Sequence, residues 1–139
     1  MSYDILAFDP ETITDTQFAE WWEEQSAWTE NHSYDDVGVT TPALAAFYTE
    51  LTQTFPPMNG PGAPTDAQLD GDPDLESRTT DYSIGTTLIY GAFSWSQAAQ
   101  SQELFLDLAA KHGVAVALVS DDSSIIRPKP ARRKLWGRK

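Results

Sequence analysis

The two histidines are the first candidates for chemistry, because an imidazole can serve as a base or as a metal ligand near neutral pH. His32 and His112 lie far apart, and neither belongs to an H-E-x-x-H pattern, which would set two ligands on one helix face. We therefore expect His32 to be a loop residue and His112 to lie at a helix end. The chain has no cysteine, which excludes a thiolate metal site and a cysteine nucleophile.

The acids of residues 70–76 are the next candidates, since oxygen ligands at alternate positions suit calcium. A calcium-binding loop needs glycine at its sixth position and glutamate at its twelfth, where this chain has Leu75 and Asp81. A solvated acidic loop is the favoured interpretation. The chain also lacks a G-x-S-x-G nucleophile elbow, and Gly60-Pro61-Gly62 is not followed by the lysine of a phosphate-binding loop. The sequence therefore predicts no catalytic residue, no metal site and no cofactor.

Charge is distributed very unevenly along the chain. Up to Ile126 there are only two basic residues, Arg78 and Lys111, against all 21 acids, whereas residues 127–139 hold seven basic residues and no acid. The net charges of the two parts are −19 and +7, or −12 in total. An acidic body repels the nucleic-acid backbone and attracts cationic partners. We expect a basic protein partner and no nucleic acid bound through the acidic body; solubility or salt adaptation is the alternative explanation of the charge.

The elements that must position these charges begin with a strand and a helix. Residues 3–8 form an apolar run that ends at Asp9-Pro10, which predicts a buried first strand. Residues 15–29 show helical spacing of large apolar side chains, and Thr14 with Gln17 fits a capping box at its start. The acids of its outer face are candidate partner-binding residues: Glu20, Glu23 and Glu24.

Further elements follow from local signals. Thr41-Pro42 predicts the start of a second helix that ends near Pro56, and residues 56–80 are interpreted as a long loop rich in Pro, Gly and Asp. Residues 81–85 and 88–93 predict a hairpin. A third helix runs to His112 and stops at Gly113, before a buried strand at 114–119 and a short edge piece at 124–127.

The resulting order is β, α, α, β, β, α, β, with a short last strand. This order predicts an α+β fold with a mostly antiparallel sheet and helices on one face, and it allows a split βαβ, ferredoxin-like arrangement. Residues 1–127 are expected to form one acidic domain and residues 128–139 a basic, proline-containing tail. We expect the tail to fold back on the acidic body with Trp136 as an apolar anchor; a membrane surface or nucleic acid are its alternative partners.

A second group of candidate partner-binding residues lies in two segments that the fold could bring together. Tyr34, Asp35 and Asp36 form a turn, and Asp81 with Tyr82 opens the hairpin. Strand alternation places Asp81 on one side of the strand and Tyr82 on the other. Together with the Tyr34 turn, these residues are expected to line a pocket. The alternative to a protein-binding role is therefore a small enzyme or ligand-binding domain with its pocket near Tyr34, Asp81 and Tyr82. No apolar run is long enough for a membrane span, and a cytoplasmic protein is expected.

Several short segments carry a resemblance that covers most of residues 3–122. They are residues 3–5 (YDI), 8–10 (FDP), 34–36 (YDD), 40–44 (TTPAL), 53–61 (QTFPPMNGP), 80–85 (TDYSIG) and 109–114 (AAKHGV). Together they resemble an uncharacterised family of small acidic bacterial proteins that is similar to the immunity partners of secreted toxins. The resemblance implies that the chain neutralises a cognate toxin, and it brings no catalytic residue with it.

Overall fold

The computed structural model describes residues 2–30, 33–58, 60–121 and 124–128. The strands are β1 (Ser2–Phe8), β2 (Asp81–Ile84), β3 (Leu88–Ser94), β4 (Ala115–Ala117) and β5 (Ile125–Ile126). The α-helices are α1 (Phe18–Gln25), α2 (Pro42–Leu51), α3 (Asp66–Gly71), α4 (Pro73–Arg78) and α5 (Ala98–His112). Among these helices the longest has 15 residues, and none combines the length and apolar character needed to cross a membrane.

The strands form one sheet in the order β2-β3-β1-β4-β5, and every neighbouring pair is antiparallel. The predicted α+β class with an antiparallel sheet is confirmed. Because β3 lies between β1 and β2, and β1 lies between β3 and β4, both helix-containing connections have the split β-α-β form. β1 is thereby buried at the centre of the sheet, as its apolar run predicted.

The sheet carries a hydrophobic core on each face, because alternate residues of a strand point to opposite sides. Ile5 and Val116 pack on one face with the buried side of α2 and α5, including Phe47 and Phe105. Phe8 packs on the other face, with α1 against it. The expectation of helices on one face alone is therefore wrong. The reason is that β1 and β4 are apolar on both sides, so both faces must be covered.

The first helix is shorter than its apolar spacing predicted. A 3-10 turn, Asp15–Gln17, precedes α1, and the Thr14 N–H donates to Gln17 Oε1 at 2.9 Å. α1 stops at Gln25 instead of continuing to residue 29. Trp28 has φ +51°, which lies in the left-handed region and is incompatible with a continuing α-helix. The ring of Trp28 still packs on that of Trp22, with 6.0 Å between centroids.

The predicted start of α2 and the predicted stop of α5 are confirmed by their caps, whereas α2 ends at Leu51, before the predicted stop near Pro56. Thr41 Oγ1 accepts a hydrogen bond from the Leu44 N–H at 3.2 Å, and Pro42 occupies the first turn of α2. α5 ends at Gly113, whose φ of +72° is the left-handed conformation that glycine adopts without strain. Local chemistry thus decides where these helices begin or end.

Residues 56–80 differ from the expected long loop, because they contain α3 and α4. Thr65 caps α3, with its Oγ1 accepting from the Gln68 N–H at 3.2 Å. Asp72 caps α4, and its Oδ1 accepts from the N–H groups of Asp74 and Leu75. Polar caps stabilise these two short helices although few apolar side chains anchor them. The acids of residues 70–76 therefore belong to helix ends.

The chain after β4 returns along the sheet edge to Pro128. The predicted edge piece is present as β5, in which Ile126 lies opposite Val116. His32, most of the basic tail and its Trp136 lie outside the described residues, so the fold-back of the tail stays a prediction.

A polar cluster joins α2 to α5 at their exposed side. Glu50 accepts hydrogen bonds from Lys111 Nζ at 2.9 Å to each carboxylate oxygen, and its Oε1 lies 2.9 Å from His112 Nε2. The hydrogen bond from Lys111, and then that from His112, lower the pKa of Glu50 below its ordinary value. His112 therefore lies at a helix end, as predicted, and contacts a carboxylate there.

The lowered pKa of Glu50 predicts a pH-dependent contribution to stability. A carboxyl group with a lower pKa in the folded chain stabilises the fold above its unfolded pKa, and the contribution disappears as pH falls through the folded value. We expect Glu50→Gln to lower the melting temperature slightly at pH 6, and the difference from the original protein to shrink as the pH falls into the acidic range. Thermal unfolding between pH 2.5 and 6 measures this difference. Glu103→Gln, on the exposed side of α5, is the matched control; an equal pH-dependent difference there would contradict the assignment.

Candidate binding groove

The segment after α1 crosses the edge of the sheet and brings Tyr34 to β2. The ring of Trp28 contacts that of Tyr34, with centroids 5.3 Å apart, and the Glu30 N–H donates to the Tyr34 hydroxyl at 2.7 Å. The Ile84 N–H of β2 donates to the Tyr34 carbonyl at 2.8 Å. These contacts hold the segment against the outer side of β2.

A groove of about 320 Å³ lies along this outer side. We call it the β2-edge groove, and its lining residues are Ser33, Tyr34, Asp35, Tyr48, Pro57, Asp81, Tyr82 and Ser83. A second cavity of about 420 Å³ adjoins it through Ser33, Asp35 and Tyr48, and extends over α2 toward Pro61. The two form a continuous depression between the sheet edge, α2 and the loop before it.

The structure brings together five of the eight partner-binding residues predicted from sequence. Tyr34, Asp35, Asp81 and Tyr82 line the β2-edge groove, and Asp36 lines the adjoining cavity.

The three acids of the first helix lie elsewhere. Glu20, Glu23 and Glu24 are exposed on α1, which covers the other face of the sheet, and Glu24 lines a separate cavity of about 580 Å³ with Trp21 and Thr86. The candidate residues therefore form two surfaces, which we call the α1 acidic face (Glu20, Glu23 and Glu24) and the β2-edge groove.

Two tyrosines form the wall of the groove on the α2 side. The Tyr82 hydroxyl donates to the Phe55 carbonyl at 2.8 Å, and the rings of Tyr48 and Tyr82 meet edge to face at 5.1 Å. Burial, and then the nearby Asp35 carboxylate, raise the pKa of Tyr48 to about 12; burial also raises the pKa of Tyr82 well above its ordinary value. Both phenols stay protonated at neutral pH. The half-buried Tyr48 can offer its ring and neutral hydroxyl to a ligand, whereas the hydroxyl of the buried Tyr82 is already bonded to Phe55.

Two carboxylates border the groove on its exposed side. Asp35 and Asp81 are exposed, and neither pairs with a cation of the described residues. Gly60, at φ +80°, packs against Asp35; a Cβ at this position would come within 2.9 Å of Asp35 Oδ2. Negative charge beside aromatic rings favours a cationic ligand, because both attract positive charge.

Sequence reasoning missed the groove residues on α2 and in the loop before α3. Tyr48 has the helical spacing of a core residue, although it is half-buried and lines the groove. Pro57 forms a parallel bridge with Thr80, which places it beside β2. The paired prolines signalled a helix stop, but nothing local indicated that they continue along a strand.

No group of three or more His, Asp or Glu side chains within the described ranges is arranged to hold a metal ion. In comparisons with known proteins, no family model, curated protein or solved structure matches this chain.

Proposed function

We propose that this protein is a non-enzymatic binding protein that neutralises a cognate toxin, in the manner of bacterial immunity proteins, by covering a cationic surface. The observation that carries the proposal is that the described basic side chains are already paired with carboxylates of the same chain, which leaves many other carboxylates without a cation of the described ranges. Arg78, Lys111 and Arg127 each form an ion pair with a carboxylate of the chain. The described ranges hold every acid except Asp122, so most of their carboxylates have no cation of those ranges beside them.

This excess negative charge is exposed to solvent at both candidate surfaces. The α1 acidic face and the two carboxylates of the β2-edge groove are exposed. A surface of one sign speeds the encounter with a surface of the opposite sign, and salt weakens that steering. The proposal therefore assigns the acids a role in recognition, and the resemblance noted from the sequence supports a toxin as the class of partner.

The proposal predicts salt-dependent association. The immobilised full-length protein is used to capture its partner from native cells, and the association rate of the purified pair is measured at rising ionic strength. We expect the rate to fall about tenfold or more, because the Debye length shrinks from about 10 Å at 0.1 M to about 3 Å at 1 M. The captured partner should arrest growth when expressed alone and lose this effect when co-expressed with the protein.

Matched charge variants separate local recognition from total charge. The triple variant Glu20→Gln, Glu23→Gln, Glu24→Gln removes the α1 acidic face, and the control Asp66→Asn, Asp70→Asn, Glu76→Gln removes three exposed acids of α3 and α4. We expect the first to slow association more than the second. An association rate that is indifferent to salt, or a partner that is not toxic, would contradict the proposal.

A second candidate function is binding of a small cationic ligand. The observation that favours it is the shared groove of Tyr34, Asp81 and Tyr82, with Asp35 at its border. Native mass spectrometry of the protein purified from its own cells distinguishes the two functions. A co-purifying small molecule supports the ligand-binding function, and one stoichiometric basic protein supports the immunity function.

A further inference from the structure

The outer side of β2 presents backbone groups as well as charge. In the β2–β3 hairpin the Gly85 N–H donates to the Leu88 carbonyl at 2.9 Å, so this pair is a hydrogen-bonded one. Hydrogen-bonded and non-bonded pairs alternate along an antiparallel ladder. Tyr82, which lies opposite Gly91, is therefore in a non-bonded pair, and its N–H and C=O point away from β3.

Both flanks of Tyr82 on this outer side are already paired within the chain. Thr80 donates its N–H to the Pro56 carbonyl at 2.9 Å and accepts from the Met58 N–H at 2.8 Å. At the other end, the Ile84 N–H donates to the Tyr34 carbonyl at 2.8 Å. Within the described residues, no group pairs with the outward N–H and C=O of Tyr82, which therefore face the β2-edge groove between two closed ends.

We propose that the β2-edge groove binds a short extended segment of the basic protein partner by adding it to the outer edge of β2. This inference rests on the proposed function and names the contact that the partner makes. One residue of the segment donates its N–H to the Tyr82 carbonyl and accepts from the Tyr82 N–H. The addition of an extended peptide to a sheet edge through main-chain hydrogen bonds is a known mode of peptide recognition.

The chemistry of the groove decides which segment fits. Asp35 and Asp81 border the free edge of β2 and bind the lysine or arginine side chains that flank the bonded residue. The half-buried ring of Tyr48 supplies an apolar wall and a face for a cation. An acidic segment is repelled by the same two carboxylates.

The closed ends limit the length of the segment. Thr80 and Ile84 lie four residues apart in an extended strand, a span of about 13 Å at roughly 3.3 Å per residue. Because both are occupied by the chain's own backbone, the open edge accepts only one hydrogen-bonded residue with a neighbour on each side. The occupant is therefore the tip of a partner loop or a chain end, and a long added strand does not fit.

The test uses full-length protein labelled with nitrogen-15 and the blocked pentapeptide acetyl-Lys-Thr-Val-Thr-Lys-amide as the probe. In low-salt NMR titrations we expect chemical-shift changes to centre on Tyr82 and Asp81. Hydrogen exchange of the Tyr82 amide should slow about tenfold at saturation, because the amide gains an acceptor. The same peptide methylated at the central nitrogen keeps its charge and loses its donor, and should bind about tenfold more weakly.

Charge variants complete the test. Asp35→Asn and Asp81→Asn should each weaken binding of the pentapeptide about three- to tenfold, whereas Asp70→Asn, an exposed acid of α3, should leave it unchanged. All three residues are exposed, so the variants should stay folded, and their amide spectra verify this. An analogue with glutamate in place of both lysines should not bind.

Four results would overturn the inference. They are shift changes confined to the α1 acidic face, equal binding of the methylated peptide, no binding at millimolar concentration, and binding that requires deletion of residues 129–139. The last would assign the groove to the chain's own basic segment. A captured basic toxin that leaves the Tyr82 amide unchanged overturns the groove assignment alone, whereas the lack of any basic partner overturns the proposed function.

Discussion

Replacement of Phe93 by alanine is expected to lower the free energy of unfolding by about 3–5 kcal/mol. Phe93 is 1% exposed on β3 and meets the rings of Phe55, Tyr82 and Phe105 edge to face at 5.3–6.0 Å. Removing its ring loses buried apolar contact and leaves a cavity among rings that α2, α5 and the sheet hold in place. Urea unfolding followed by circular dichroism measures the change.

The control for Phe93 is a large side chain that the fold leaves exposed. Met58 is 51% exposed, so Met58→Ala should change the free energy of unfolding by less than about 0.5 kcal/mol. Equal effects of the two replacements would contradict the packing described for this face of the sheet. Because the ring of Phe93 packs against that of Tyr82, replacing Phe93 should also weaken the binding of any ligand in the β2-edge groove.

Replacement of Arg127 by methionine is expected to cost about 2 kcal/mol of stability. Its guanidinium donates to the carbonyls of Pro10 and Ile13 at 2.8 and 2.7 Å and to Asp15 Oδ1 at 2.6 Å, and it lies over the ring of Phe8. Methionine keeps most of the side-chain length but leaves two part-buried carbonyls without their donor. Thermal and urea unfolding measure the loss.

The effect of Arg127 should depend little on salt. Asp15 is largely exposed, so solvent screens the ion pair and most of the loss comes from the two carbonyls. Arg127→Lys keeps the charge but cannot reproduce the planar fork, and should lose more than half of the stabilisation. Full retention of stability by the lysine variant, or a loss that disappears in 1 M salt, would show that charge alone matters.

Arg127 also shows where charge patterns mislead. Counted along the sequence, it is the first of the seven basic residues that follow the acidic part of the chain. In the structure it follows β5 and fastens the segment between β1 and α1. A charge count cannot distinguish a residue that repels neighbours of its own sign from one held by carbonyls distant in the chain.

Local signals predicted much of the fold because their physics is local. The cap at Thr41-Pro42, the stop at Gly113 and the break at Asp9-Pro10 depend on side-chain and backbone groups within one turn. The hairpin at residues 81–93 follows from alternation and a short turn. The two helices within residues 66–78 were not predicted, because short helices that are capped and exposed to solvent need no apolar periodicity.

The sequence and the tertiary structure likewise determine different parts of the candidate site. By itself the sequence determined the α+β class, the excess of carboxylates and the identity of the polar residues Tyr34, Asp35 and Asp81. Only the tertiary structure decided that α1 covers the second face of the sheet and that Tyr48 joins the groove. It also decided that the N–H and C=O of Tyr82 face outward between two closed ends. Helix caps and strand alternation are set by neighbours in the chain, whereas a groove is set by which distant surfaces must be buried together to remove apolar area from water.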